Sequence, residues 1–339
     1  MVPLKAGDPV SQVTGASVPY LAGLTTLYTG NSVNTGASGS SQIIVNGINL
    51  VDNNGLVWIK DRDSANNSHH LYDTLRGVGM RLDSSSADAE VDYPASDPDK
   101  SLQSFNENGF TVGTQPGINA LGDDFVGWTF QKAPGYFDVV KYDGNGAAGV
   151  IPHQLGSKPG MILLKAITGP DSASNWGVYH QALPSNKALT LNTNAAQITS
   201  QYFNQTPPTD TVFYVGSTSS ANGVGNSYIA YLFADAPGLI KCGSYVGNGL
   251  SDGSNVVDCG FKPQFVLIKS SSASADWVIF DSKRVKSGGA NNKLEPNTTE
   301  AETELNKSVE FTDNGLKFNA ASTYICLLYT SPSPRDRVQ

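Results

Sequence analysis

Charge is scarce in this 339-residue chain: Asp, Glu, Lys and Arg make up only 15% of it, and the formal balance is −8. No cluster of Lys or Arg stands anywhere along it. A protein that grips phosphate backbones needs such a cluster, so nucleic acid is excluded as a partner. Cysteine is rarer still, three residues in all. Cys242 and Cys259 read as half-buried free thiols, which suits assembly in a reducing cytosol and argues against a disulfide scaffold. No apolar stretch approaches the length of a membrane-spanning helix, and MVPLKAGDPV at the start has neither the basic region nor the apolar core of a signal peptide. No membrane partner is expected. Helical periodicity is almost absent too, which leaves strands as the building material.

What is present is repetition. Tyr-x-Gly-Asn occurs at Tyr28–Asn31, Tyr142–Asn145 and Tyr245–Asn248, each time opening the same order of landmarks. An apolar run closing on Lys follows, at Leu56–Lys60, Gly160–Lys165 and Phe265–Lys269. A closing apolar run then begins at Phe125, Tyr228 and Tyr324. Phe125 stands as far before Tyr142 as Tyr228 does before Tyr245, so the junctions are equal. Three segments of roughly 100 residues follow, the commonest domain size: 28–141, 142–244 and an incomplete 245–325. Residues 1–27 read as an N-terminal arm or linker whose partner is elsewhere. Residues 326–339, from Cys326 through SPSPRD, resemble the translated end of a sequencing adapter and are expected to be foreign to the natural protein.

Runs such as Val57-Trp58-Ile59, Phe137–Val140 and Trp277–Phe280 are β-branched or aromatic and bounded by turn residues. Asn108-Gly109 and Asn314-Gly315 read as two-residue hairpin turns. The expected fold class is all-β: three tandem antiparallel β-sandwich repeats, the third truncated, with the aromatic strands meeting between two sheets. Trp176, Trp277, Tyr179 and Tyr72 are assigned to those cores. The Asp- and Pro-rich insertion Ala87–Ser101 in the first segment is expected as an exposed loop, where repeated scaffolds place function. A rod of such units would give length and multivalent contact.

Candidate chemistry is thin. Gly144–Gly149 has G-x-G-x-x-G spacing, but Val150-Ile151-Pro152 follows where a helix would have to start, so turn glycines are expected. The four His show no metal-ligand spacing, and no G-x-S-x-G elbow is present. Asp61 and Asp63 lie in a turn of the first segment. They are ordinary turn chemistry first, and otherwise oxygen ligands that could take Ca²⁺, the one cofactor considered. They are also the carboxylates that a glycan hydrolase would require. His70 and Tyr72 stand at a strand end, where the other segments vary. Tyr93 and Tyr202 belong to loops particular to one segment, which leaves their rings free to stack on a sugar. These six residues are the candidate ligand-binding set, with no catalytic and no metal residue among them.

Taken together, Gly55–Lys60, His70–Gly77, Ser104–Gly113, Trp128–Phe130, Ala133–Gly135 and Pro159–Met161 resemble a repeat module of structural proteins from marine tailed phages. The resemblance spans residues 28–325. It implies concanavalin-like or jelly-roll-like β-sandwiches in tail-fibre or virion-surface proteins, with no catalytic motif. On that footing the expected function is non-enzymatic: a virion component, assembled in the host cytoplasm, whose lectin-like modules bind a bacterial surface glycan. Other virion proteins are further expected partners, and assembly into a homo-oligomer is expected. The alternatives are a decoration brick that binds only its neighbours, and a glycan depolymerase. Ser32, where the other segments have Gly, and Val285, where Gly would match Gly77, depart from the pattern at turns.

Overall fold

A computed structural model describes residues 4–5, 23–31, 40–93, 97, 99–286, 289, 291–305 and 308–320. The adapter-like tail, the run at Tyr324-Ile325 and most of the N-terminal arm lie outside the described residues. After β1 (Leu4–Lys5), the first segment holds β2 (Gly23–Thr29), β3 (Gln42–Val45), β4 (Gly55–Asp61), β5 (His70–Asp73), β6 (Met80–Asp83), β7 (Val91–Asp92), β8 (Leu102–Asn106), β9 (Gly109–Val112), a one-turn helix α1 (Pro116–Asn119) and β10 (Asp124–Gln131). Strand β11 (Phe137–Asp143) crosses the expected boundary at 141 but pairs with β18 and is grouped with the second segment, which also holds β12 (Gly149–Pro152), β13 (Pro159–Thr168), β14 (Gly177–His180), β15 (Lys187–Thr190), β16 (Ile198–Thr199), β17 (Val212–Val215), α2 (Ser219–Asn222) and β18 (Ser227–Ala234). The third holds β19 (Asn255–Asp258), β20 (Pro263–Ile268), β21 (Val278–Asp281), β22 (Asn291–Lys293), β23 (Thr303–Leu305), β24 (Val309–Thr312) and β25 (Gly315–Phe318).

The chain is all-β, built of several antiparallel sheets, none of them closed. A six-stranded sheet ordered β2-β10-β4-β5-β6-β7 is repeated as β11-β18-β13-β14-β15-β16, and β20 and β21 stand in the third segment where β4 and β5 stand in the first. The registers correspond: Leu56 faces Asp73, Met161 faces His180 and Phe265 faces Asp281. Smaller sheets, β3-β9-β8, β12-β17 and β19-β25-β24, accompany them.

Alternation along β4 explains how the layers pack. All seven of its residues are buried, as in a strand covered on both faces. Val57 and Ile59 join Ile44, Phe110 and Val112 of the small sheet in one core. Leu56 and Trp58 turn the other way, into a core shared with Phe137, Phe233 and Phe265 of the other two segments. Phe130 is its hub, with ring centroids 5.8 Å from Phe137, 5.4 Å from Phe233 and 5.9 Å from Phe265. The third segment keeps a separate core of Val266, Ile268, Phe280 and Leu316.

The segments therefore form a ring rather than the expected rod. Three equivalent backbone bonds close it: Glu90 donates to the carbonyl of Ile167 at 3.1 Å, Gln197 to Ser271 at 2.9 Å, and Glu302 back to Arg62 at 2.8 Å. Trp176 and Trp277, expected as private core residues, bridge segments as well. Their indole N–H groups donate to the carbonyls of Asp83 at 3.0 Å and Thr190 at 2.9 Å in the preceding segment. An indole buried against a neighbour's strand end satisfies both the apolar ring and its donor.

The repeated signatures have local causes. Tyr28 donates to the carbonyl of Ile118 and Tyr142 to that of Ala221, at the ends of the two short helices. The amides of Asn31 and Asn145 donate to the Asn119 and Asn222 side chains. A Cβ at Gly30 would come 1.9 Å from the Ala120 carbonyl oxygen, so only glycine fits. The lysine that ends each apolar run is pulled inward: Lys60, Lys165 and Lys269 donate to the carbonyls of Asp61, Ala166 and Ser270. Burial pushes each of these amines down to about 8.

Both hairpin turns sit one residue earlier than expected. Gly109 pairs with Asn106 and Gly315 with Thr312, leaving Glu107-Asn108 and Asp313-Asn314 as the loop residues. Glycine follows the turn because a third strand lies close: a Cβ at Gly109 would meet the Ile44 carbonyl oxygen at 2.0 Å, and one at Gly315 that of Val257 at 2.0 Å. The insertion is not wholly an exposed loop either, since β7 pairs with β6 and Ser101 is buried. Gly149 opens strand β12, so the glycine-rich stretch contains no helix start.

Candidate functional site

The six candidate residues separate into three places. Asp61 and Asp63 organise the turn after β4. Asp61 is fully buried, and its Oδ1 accepts the amides of Asp63 at 3.0 Å and Ser64 at 3.1 Å, while Oδ2 accepts Asn67 Nδ2 at 2.7 Å. Asp63 Oδ2 accepts the amide of Asp124 at 2.6 Å. Partial burial and the nearby Asp61 and Asp63 raise the pKa of Asp123. Among the described residues no group of three or more His, Cys, Asp or Glu is arranged to hold a metal ion. The pair is turn chemistry in which carboxylate oxygens already hold backbone donors.

His70, Tyr72 and Tyr93 come together with partners that sequence reading did not single out. Tyr93 follows β7, and its hydroxyl accepts Arg81 Nη1 at 2.6 Å and Gln115 Nε2 at 3.1 Å. The Arg81 guanidinium lies 5.1 Å above the Tyr93 ring, a cation–π arrangement. Arg81 pairs with Asp83 at 3.1 Å, and Asp83 with His70 Nδ1 at 2.7 Å. The result is a file of polar groups running from the surface to a buried imidazole. Burial holds His70 below the usual histidine range in spite of its Asp83 partner, and burial raises Tyr72 far above the usual phenol. His70 Nε2 is aimed at Gly117 of α1, where a Cβ would stand 2.4 Å away. Both rings lie beneath the surface, His70 at 3% exposure and Tyr72 at 0%, which places Tyr72 in the core to which the sequence assigned it.

Tyr202 lies at the equivalent edge of the second segment, after β16. It lines a shallow cleft of ≈ 390 Å³ with Thr199, Ser200, Gln201, Gln205, Thr218 and Ser220. Its ring is packed on Gly177, where a Cβ would come 2.7 Å from it, and the residue is 8% exposed. Gln205 in the cleft lining and the adjacent Asn204 have φ of 51° and 49°, the left-handed region that costs a non-glycine residue energy. Such strain concentrates where a loop presents groups to a ligand. The cleft offers hydroxyls, amides and a phenol, with no carboxylate or imidazole in its lining.

Varying residues at the strand end share one task. Asp73 Oδ1, His180 Nδ1 and Asp281 Oδ1 each accept the amide two residues on, from Leu75, Ala182 and Lys283. Asp73 and Asp281 also hold the buried Arg76 and Arg284, at 2.5 and 2.6 Å. Each pair receives an aromatic donor from another segment: Tyr231 reaches Asp73 at 2.7 Å and Trp128 reaches Asp281 at 3.2 Å. The sequence marked these positions as strand ends but held no sign of the partners across the ring. Gln115 and Thr218 were missed because the tyrosines they join, Tyr93 and Tyr202, stand in other loops, whereas Arg81 and Gln205, close in sequence to Asp83 and Tyr202, carried no pattern that marked them.

The geometry thus defines a class: an all-β protein of open antiparallel sheets arranged in a ring, with a polar cleft at a loop edge of the second segment. The chain belongs to a family described as a domain of unknown function, DUF7483, whose model matches residues 24–326 across all three segments. No curated protein and no solved structure matches it.

Proposed function

We propose that this chain is a non-enzymatic structural protein of a tailed-phage virion, a tail fibre or tail-associated appendage. Its segments 28–141, 142–244 and 245–325 act as concanavalin-like or jelly-roll-like sandwiches that hold a host-surface glycan. The observation that carries this reading is the cleft around Tyr202, whose hydroxyl, amide and phenol lining suits sugar hydroxyls. Asp61 and Asp63, which a depolymerase would need, are committed to backbone donors. The test is binding of the full chain to purified bacterial surface polysaccharides. Saturable binding to some of them, weakened about tenfold in a Gln201→Ala, Gln205→Ala double variant without any cleavage of the polymer, supports the reading. Polymer cleavage, or equal binding by the variant, overturns it.

A specific observation also favours the brick reading. Ile43, Val150 and Val256 occupy corresponding positions on β3, β12 and β19 and are 69%, 55% and 60% exposed. Apolar side chains exposed at the same place in every segment suit contact with neighbouring virion proteins or other copies of the chain. Replacing all three with Thr is then expected to leave glycan binding unchanged and to abolish self-association in light scattering.

A further inference from the structure

We propose that the N-terminal strand β1 is the closing strand of the third segment, supplied by the same chain. In the first segment β4 is flanked by β5 on one side and by the closing strand β10 on the other; in the second, β13 lies in the same way between β14 and β18. In the third segment β20 has β21 on one side and β1 on the other. Direction agrees, since all three closing pairings are antiparallel. Register agrees as well: Phe130 faces Leu56, Phe233 faces Met161, and Leu4 faces Phe265 at the position equivalent to both. A strand joining at random would match side, direction and register together only rarely, because a shift of one residue moves every side chain to the other face.

An open edge on β20 would be costly, since unpaired strand edges template aggregation. Leu4–Lys5 covers its first part, at Pro263 and Phe265, and ties the arm to the last segment. The arm's partner is thus within the protein. The apolar run that opens at Tyr324 belongs by its spacing to the same edge and lies outside the described residues, which makes it the rival occupant.

Hydrogen exchange on the full chain and on a variant lacking residues 2–8 decides the matter. The amides of β20 around Phe265 are expected to exchange at least tenfold faster in the variant, with β4 and β13 unchanged, and a synthetic peptide of residues 1–8 restores their protection. Where deletion loosens the whole protein, recovery of β20 with the peptide is the deciding readout, and failure to recover overturns the proposal. Unchanged protection of β20, as expected if the later run holds the edge, overturns it too. Light scattering supplies the last arm: protection in a monomer at every concentration supports closure within one chain, and protection only in oligomers overturns it.

Discussion

Glu302 shows how one side chain can carry a junction. Burial alone would raise its pKa, but the hydrogen bond from Arg62 at 2.8 Å and the Arg284 guanidinium at 2.9 Å pull it down to about 2. A carboxylate whose folded pKa lies below its unfolded value near 4.5 contributes stability that is complete above about 4.5 and is lost as pH falls through 2. The junction of the third segment with the first is therefore acid-labile. Glu302→Gln removes the carboxylate shared by the buried Arg284 and the half-buried Arg62, which keep Asp281 and Asp124 respectively, and is expected to cost about 2 kcal/mol at pH 7. Its urea midpoint should also fall less between pH 4.5 and 2 than that of the wild type; an identical fall in both would show that another group sets the acid limit. Two buried lysines and one half-buried act with the opposite slope. With folded pKa values near 8 against 10.5 when unfolded, Lys60, Lys165 and Lys269 make the unfolded state bind more protons between those limits, so their contribution to stability improves as pH rises from 8 towards 10. Lys165→Met should flatten that rise in urea melts at pH 8 and 10. Sequence marked these lysines as the ends of apolar runs. Their burial was not legible, because the carbonyls that hold them come partly from another segment, as with Ala87 for Lys165 and Asn194 for Lys269.

At the scale of elements, strands were the legible part. Val57-Trp58-Ile59 and Phe137–Val140 lie in β4 and β11, because β-branched and aromatic runs between turn residues have few other ways to bury themselves. The hairpins show where that reading stops. Asn-Gly was placed in the turn on propensity, yet Gly109 and Gly315 are needed for space beside a third strand, a constraint that local sequence does not carry. A substitution separates the two roles. Gly109→Ala is expected to cost well over 2 kcal/mol and to detach β3 from β9, since the new carbon would overlap the Ile44 carbonyl and the φ of 130° is unfavourable besides. Gly77→Ala meets nothing within 4 Å and carries only the backbone cost of φ 96°, about 1 kcal/mol. Equal losses in denaturant melts would mean that backbone conformation alone dictates glycine at 109. The depth of His70 and Tyr72 was hidden for a related reason: period-two alternation tells which residues share a face, but β5 is buried on both faces.

For the whole molecule the decisive fact is that side chains from all three segments share one core. Repetition was visible in the sequence, and a rod follows naturally from repetition alone; the ring depends on which neighbour each second face meets, and no single repeat records that. Its consequence is cooperativity. In a linear array each unit contributes its own stability plus a nearest-neighbour term, and units can melt separately. Here Phe265 of the third segment touches Trp128 and Phe130 of the first, and Phe130 touches Phe233 of the second. The cyclic backbone bonds at Glu90, Gln197 and Glu302 leave no free end from which unfolding can start among these segments. Phe265→Ala, which removes one ring from the shared core, is therefore expected to cost about 3–5 kcal/mol and to lower the melting of all three segments together. Calorimetry of wild type and variant should each give one transition whose van't Hoff and calorimetric enthalpies agree. Resolved transitions, with only one displaced by the substitution, would mean that the segments fold as separate domains and that the shared aromatic cluster is a contact surface between them.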